Sequence, residues 1–205
     1  MVGYASFQVL RLEQALGRDY DIRFRPAGPT GILVMALHGG GIEPGTGTLA
    51  EAIAGDLHGF YCFRGIGTAG NAALRIPSHL FDEPCAVELA CAAESVLSIH
   101  GCRGPECCVY LGGRDDALKE AAREALNAAS FTVSESARFP GVNPMNLCNR
   151  GRSGKGLQLE LTAGLRRALL GRKDGGRCRN GEFGRFVKAL QDVLTVCSGK
   201  PVGGD

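Results

Sequence analysis

Two apolar runs that both stop at a His-Gly pair constrain this chain more than any other feature. Residues 32–37 (ILVMAL) lead into His38 and three glycines, and residues 96–99 (VLSI) lead into His100 and Gly101. Short continuous apolar runs bounded by glycine read as strands buried on both faces of a sheet. A histidine ending such a strand points into the loops at one sheet edge, where open α/β sheets bind their ligands. Glu43 follows His38 by five residues in the glycine loop. A single histidine is more often a hydrogen-bonded structural residue, but two at strand ends with a carboxylate beside one favour ligation. His38, Glu43 and His100 make a His₂Glu set, which holds zinc and leaves one coordination position open. The expectation is a metallohydrolase with one zinc per chain.

The remaining pattern alternates strands with helices. Residues 6–16 have helical spacing and form either a small helix or an edge hairpin with 20–24. Helices are expected at 45–55, 83–94, 115–129, 163–170 and 183–196, the third capped by Asp115 or Asp116. Further strands are expected at 59–64, 73–76, 107–111 and 157–162. This alternation predicts an α/β fold, a three-layer sandwich with a mixed central sheet. The length suits a single domain, residues 1–205, around one substantial core. A glycine- and asparagine-rich loop spans 138–156. Loops of that length are uncommon unless functional, and this one leads directly to Glu160.

Charge and composition exclude several classes. A formal net charge of +2 is too balanced to argue for nucleic acid. No apolar run approaches the roughly 18 residues of a membrane span, and the first residues lack the basic head and apolar core of a signal peptide. Nine scattered cysteines, an odd number, read as reduced thiols. The expectation is a cytoplasmic monomer without nucleic-acid or membrane partners, able to reach an external polymer on lysis. Cys102, Cys107 and Cys108 lack the CxxC pairs of a structural zinc site. Gly65, Gly67 and Gly70 spell GxGxxG without a helix to follow, and GRSGKG at 151–156 has no Ser or Thr after Lys155, so neither is a nucleotide loop.

Glu160 interrupts the apolar alternation of Leu157, Leu159 and Leu161. A carboxylate on a central strand is costly unless paired or functional. One reading is an exposed strand face; the other is a general base beside the metal. Arg150, Arg152 and Lys155 lie in the preceding loop, where a guanidinium can clamp a carboxylate in two-point fashion. Arg150 is expected to stabilise the oxyanion, with Arg152 on the anionic substrate. Asn71, Asn146 and Asn149 are expected to orient substrate by hydrogen bonds, and His79 to contact it. His58 reads as a surface residue in a turn. The arginines and lysine at Arg166, Arg167, Arg172, Lys173, Arg177 and Arg179 read as solvated surface.

The blocks ALHGGGIEPGT, GNAALRIPSHLFDEP, VLSIHGC, YLGGRD and NPMNLCNRGRSGKGLQLELT, in this order, resemble the phage-type poly-γ-glutamate hydrolases. That family is similar in turn to the zinc carboxypeptidases. The resemblance covers residues 31–170 and implies a carboxypeptidase-like α/β fold with helices on both faces of a mixed sheet. It implies one zinc held by His38, Glu43 and His100, and a catalytic carboxylate at Glu160. It also implies hydrolysis of γ-glutamyl amide bonds by zinc-activated water, on an anionic glutamyl polymer or peptide. Pro77, His79 and Arg152 depart from the family pattern in loops expected to touch substrate. Two rival functions are a zinc peptidase or amidase acting on cell-wall peptides or N-acyl amino acids, and a non-catalytic, metal-stabilised binding module.

Overall fold

The computed structural model describes residues 3–171 and 181–198. The charges at Arg172, Lys173, Arg177 and Arg179 lie outside the described residues. Seven strands form one sheet: β1 (Tyr20–Arg25), β2 (Ile32–Gly40), β3 (Gly59–Gly65), β4 (Ser95–Cys102), β5 (Cys108–Gly113), β6 (Thr132–Glu135) and β7 (Leu157–Thr162). Their order across the sheet is β1-β3-β2-β4-β7-β5-β6. The pairs β1/β3 and β5/β7 are antiparallel and the others parallel. The expected mixed sheet with helices on both faces is what the chain forms.

Strand alternation divides the apolar residues between two cores. On one face, Val34, Ala36, Leu97, Ile99, Leu157, Leu159 and Leu161 pack with helices α2 (Thr46–Ala54), α4 (Asp116–Ala128), α5 (Ala163–Leu170) and α6 (Gly181–Cys197). On the other, Leu33, Met35, Leu37, Tyr61 and Phe63 pack with α1 (Phe7–Glu13) and α3 (Pro84–Ala92). Side chains of the central strands therefore have no solvated face, as the continuous apolar run of β2 requires. Capping follows local chemistry. Asp115 accepts from the Leu118 amide, Thr162 from Leu165, and Glu83 from Cys85 and Ala86 ahead of a proline in the first turn.

Three local expectations are corrected, and one strand lies outside the expected set. Residues 73–76 do not join the sheet. Gly70 (φ 77°) opens a 3₁₀ turn at Asn71–Leu74, and the Ile76 carbonyl beyond it is engaged by His38. Strand β6 escapes the pattern because it is a short, partly exposed edge strand. His58 is buried, not a surface residue, and bonds Thr30 Oγ1 through Nδ1 at 3.0 Å. Arg166 is buried rather than solvated. Residues 7–13 take the helical alternative, and β1 pairs with β3 instead of folding back on that segment. The described cysteines are all free thiols; Cys62, Cys102, Cys108 and Cys148 are buried, while Cys91, Cys107 and Cys197 are exposed. Among the described residues no helix is long and apolar enough to cross a membrane.

Candidate metal centre

The centre is assembled at the carboxyl ends of the parallel strands β2 and β4, with β7 alongside. Ala36 pairs with Cys62 of β3 but Gly39 pairs with Arg64, so β2 carries one extra residue between them. Strict alternation would send His38 to the face of Val34 and Ala36. The bulge turns it instead onto the face of Leu33, Met35 and Leu37, which is also the face of His100 and Glu160. Bulges re-aim side chains in this way beside active sites. Gly40 then leaves the strand at φ 63°, a conformation that favours glycine. The loop closes when the Glu43 amide donates to the His38 carbonyl at 2.8 Å and Thr46 Oγ1 donates to the Glu43 carbonyl at 2.9 Å.

Each histidine is oriented from behind. His38 Nε2 lies 2.8 Å from the Ile76 carbonyl, which only accepts, so Nε2 donates there and Nδ1 is the nitrogen turned toward Glu43 and His100. His100 Nε2 faces Ser98 Oγ at 2.9 Å, and its Nδ1 lies 3.3 Å from that of His38. Glu43 Oε1 is 3.2 Å from His38 Nδ1, and Oε2 accepts from the Gly101 amide at 2.7 Å. One donor atom from each of the three residues falls within 4.8 Å of the others, and all three side chains are buried. Arg75 Nη2 approaches Glu43 Oε1 to 2.8 Å as an ion pair, yet that oxygen has no geometrically sound hydrogen bond. Converging imidazole nitrogens and a buried carboxylate oxygen without a hydrogen bond fit a divalent cation held by three protein ligands.

The rear wall is fixed by Arg166. Its guanidinium donates to the carbonyls of Pro44, Cys102 and Leu161 at 2.9–3.2 Å, tying the Glu43 loop to the ends of β4 and β7. A Cβ at Gly101 would sit 2.7 Å from the Arg166 Cζ, so glycine after His100 makes room for this clamp. Burial raises the Glu43 carboxyl, but His38 and then His100 overcome it and hold the group well below the usual carboxylate range. Burial lowers the His100 imidazole, with Glu43 opposing. Glu43 is therefore held as the carboxylate, and burial favours the neutral form of His100.

Glu160 sits opposite His100 in the β4/β7 register. It is 5% exposed, and its Oε2 has no hydrogen-bond partner. Burial, then the Glu43 charge, pushes the carboxyl up to about 8, against the pull of Arg75 and Arg166. The consequence for the metal-free protein has a definite sign. Below about pH 4 the group is protonated whether folded or unfolded, and contributes nothing to the pH dependence. From there to about 8 only the unfolded chain ionises freely, so Glu160 costs increasing stability. Glu160→Gln removes that cost. Its stability gain over the parent, read from urea unfolding without metal, is expected to grow from pH 5 to pH 8 and then level off. A gain independent of pH contradicts the assignment.

These residues border an open cavity of about 770 Å³, lined also by Arg75, His79, Asn146, Gln158 and the 138–144 loop. The structure thus brings His38, His100, Glu160, His79 and Asn146 to one cavity, with Glu43 behind the histidines. Other sequence-predicted residues are placed elsewhere. Arg150 reaches Cys91 Sγ on α3 at 3.7 Å and does not line the cavity; the guanidinium beside the centre belongs to Arg75. Arg152 is exposed, outside the lining. Asn71 donates to the Gly67 carbonyl and packs beneath Gly41 and Gly65. Asn149 donates to the Gly141 and Asn143 carbonyls, holding the cavity loop from behind. Arg75 escaped notice because it stands alone between Leu74 and Ile76, without a charged cluster around it.

Fold and site together define an α/β protein with a buried His-Glu-His cluster, able to hold a metal ion, at the ends of parallel strands. The chain belongs to the poly-gamma-glutamate hydrolase family, which matches residues 4–189. It is 33% identical over 193 residues to the UPF0714 protein YndL of Bacillus subtilis (strain 168), covering 91% of this chain and 75% of YndL. Its backbone is similar to that of a bacteriophage poly-gamma-glutamate hydrolase, with a TM-score of 0.91 at 28% identity over 96% of this chain and 98% of that one. The zinc-free, apo structure of YndL matches with a TM-score of 0.87 at 31% identity, covering 94% of this chain and 96% of that one.

Proposed function

We propose that this protein is a zinc-dependent amidohydrolase cleaving γ-glutamyl amide bonds of poly-γ-glutamate. The observation that carries the reading is the convergence of His38, Glu43 and His100 near a Glu160 whose Oε2 has no partner, with the two histidines and Glu160 on the wall of an open cavity. Family membership and the match to the phage hydrolase support the substrate, and the zinc-free form of YndL supports the metal. Zinc held by the three ligands supplies Lewis acidity and lowers the pKa of water.

The chain's own groups do the rest. Glu160 takes a proton from the attacking water and hands it to the leaving amine, a role suited to a buried carboxyl that lies opposite His100 and has an oxygen without a partner. Arg75 stands beside Glu43, 2.8 Å away, where a guanidinium can stabilise negative charge developing on the amide oxygen. Asn146 donates to Gln158 Oε1 at 2.8 Å, and this pair fixes the cavity floor next to Glu160. The test is a panel of γ-linked polyglutamate, α-linked polyglutamate and muropeptides, presented to the zinc-loaded protein, with released amines as the readout. Preferential cutting of the γ-linked polymer is expected. Preference for muropeptides would replace the substrate, and failure to cut any of them would overturn the reading.

A further inference from the structure

Arg138 belongs to none of the charge clusters in the sequence, yet it lines the same cavity as Glu160 and both histidines. Its guanidinium lies over the Phe139 ring, 5.3 Å from the centroid. Among the described residues no carboxylate pairs with it, whereas Arg75, the other guanidinium of the cavity, is already paired with Glu43.

The loop that carries Arg138 is pinned at several points. The Gly113 amide donates to the Pro140 carbonyl at 2.9 Å, and Asn149 Nδ2 donates to the Gly141 and Asn143 carbonyls at 2.6 and 3.0 Å. The Phe139 ring packs on Tyr110 at 5.9 Å between centroids. A Cβ on Gly112 would collide with the Phe139 carbonyl, so glycine there lets the loop lie directly against β5. An exposed guanidinium with no carboxylate partner, backed by a ring on an anchored loop and lining the same cavity as Glu160 and the two histidines, is placed to receive an anion.

The ligand chemistry narrows which anion. In a γ-linked glutamyl chain every amide nitrogen is bonded to a carbon that bears a carboxylate. In an α-linked chain the carboxylates hang at the ends of flexible side chains. We infer that Arg138 is a specificity-determining residue that binds the α-carboxylate flanking the scissile γ-amide. The inference rests on the proposed γ-glutamyl hydrolysis and names the group that selects its substrate. A planar fork binds a carboxylate in two-point fashion; lysine offers only a point charge.

The test uses short oligo-γ-glutamates with free α-carboxylates and the same oligomers with those groups converted to amides. Binding is measured by calorimetry on the zinc-loaded Glu160→Gln protein, with and without Arg138→Gln. Arg138→Gln is expected to weaken binding of the acid oligomer roughly 10- to 100-fold, the range for a hydrogen bond to a charged group. It should leave binding of the amidated oligomer unchanged, and Arg138→Lys should restore part of the loss. Equal weakening of both oligomers, no weakening of either, or no binding of the acid oligomer by the parent would each overturn the inference. Chain scission by protein with Glu160 intact is scored separately. Scission of the γ-polymer unaffected by Arg138→Gln would remove Arg138 from the account and leave the hydrolysis standing. Arg138-dependent binding without scission would do the reverse.

Discussion

Glu160→Gln is expected to lower turnover of γ-linked polyglutamate about 10²- to 10⁴-fold, the usual worth of a positioned general base, with KM and zinc content nearly unchanged. The expectation follows from geometry first. Glu160 and His100 face each other across the β4/β7 register, and the Glu160 Oε2 atom has no hydrogen-bond partner. A buried carboxyl normally recruits partners, because leaving it unpaired is costly. In the metal-free protein, burial and then the Glu43 charge push Glu160 up to about 8, and a cation bound beside it would draw it down toward the carboxylate form that accepts a proton. Glutamine has the same shape and cannot accept the proton. Retention of one metal per chain separates loss of the base from loss of the site. Full turnover by a zinc-loaded variant would show that the proton goes elsewhere.

His100→Ala is expected to abolish both metal retention and turnover while leaving a folded protein. Loss of a partner one shell out, such as the Ser98 hydroxyl that orients His100, typically weakens metal binding 10- to 100-fold; loss of a ligand itself should cost more. The fold should survive because the two apolar cores on either side of the sheet do not involve the triad. A metal-stabilised binding module would behave differently, since its metal supplies folding free energy and removal unfolds it. Equilibrium dialysis for zinc, paired with thermal unfolding of variant and parent without metal, distinguishes the two. Unfolding of the variant at room temperature would favour the structural role.

Much of this centre is legible in sequence because strand physics marks it. The runs before His38 and His100 are apolar enough to specify buried strands, and glycine after each releases the chain at the sheet edge. Glu160 is visible for a related reason: with Leu157, Leu159 and Leu161 committed to one core, the intervening positions must face the other side. What stays hidden depends on geometry without a periodic signature. The bulge that turns His38 toward His100 is one extra residue in an unbroken apolar run. Arg166 sits in a stretch of arginines that resembles solvated surface, and only the carbonyl ends of three segments meeting around it make it internal. Arg150 shares a loop with the approach to Glu160, yet its side chain leaves toward α3. Arg75 and Arg138 come to the cavity from opposite sides in sequence, each alone in its segment.

The most direct test of the central claim is a zinc titration of metal-stripped protein, with the chain length of γ-polyglutamate followed at each step. The account predicts no shortening without metal and a rate that rises to a plateau at one zinc per chain. Shortening by the stripped protein, or one tightly bound zinc with the polymer left intact, would contradict it.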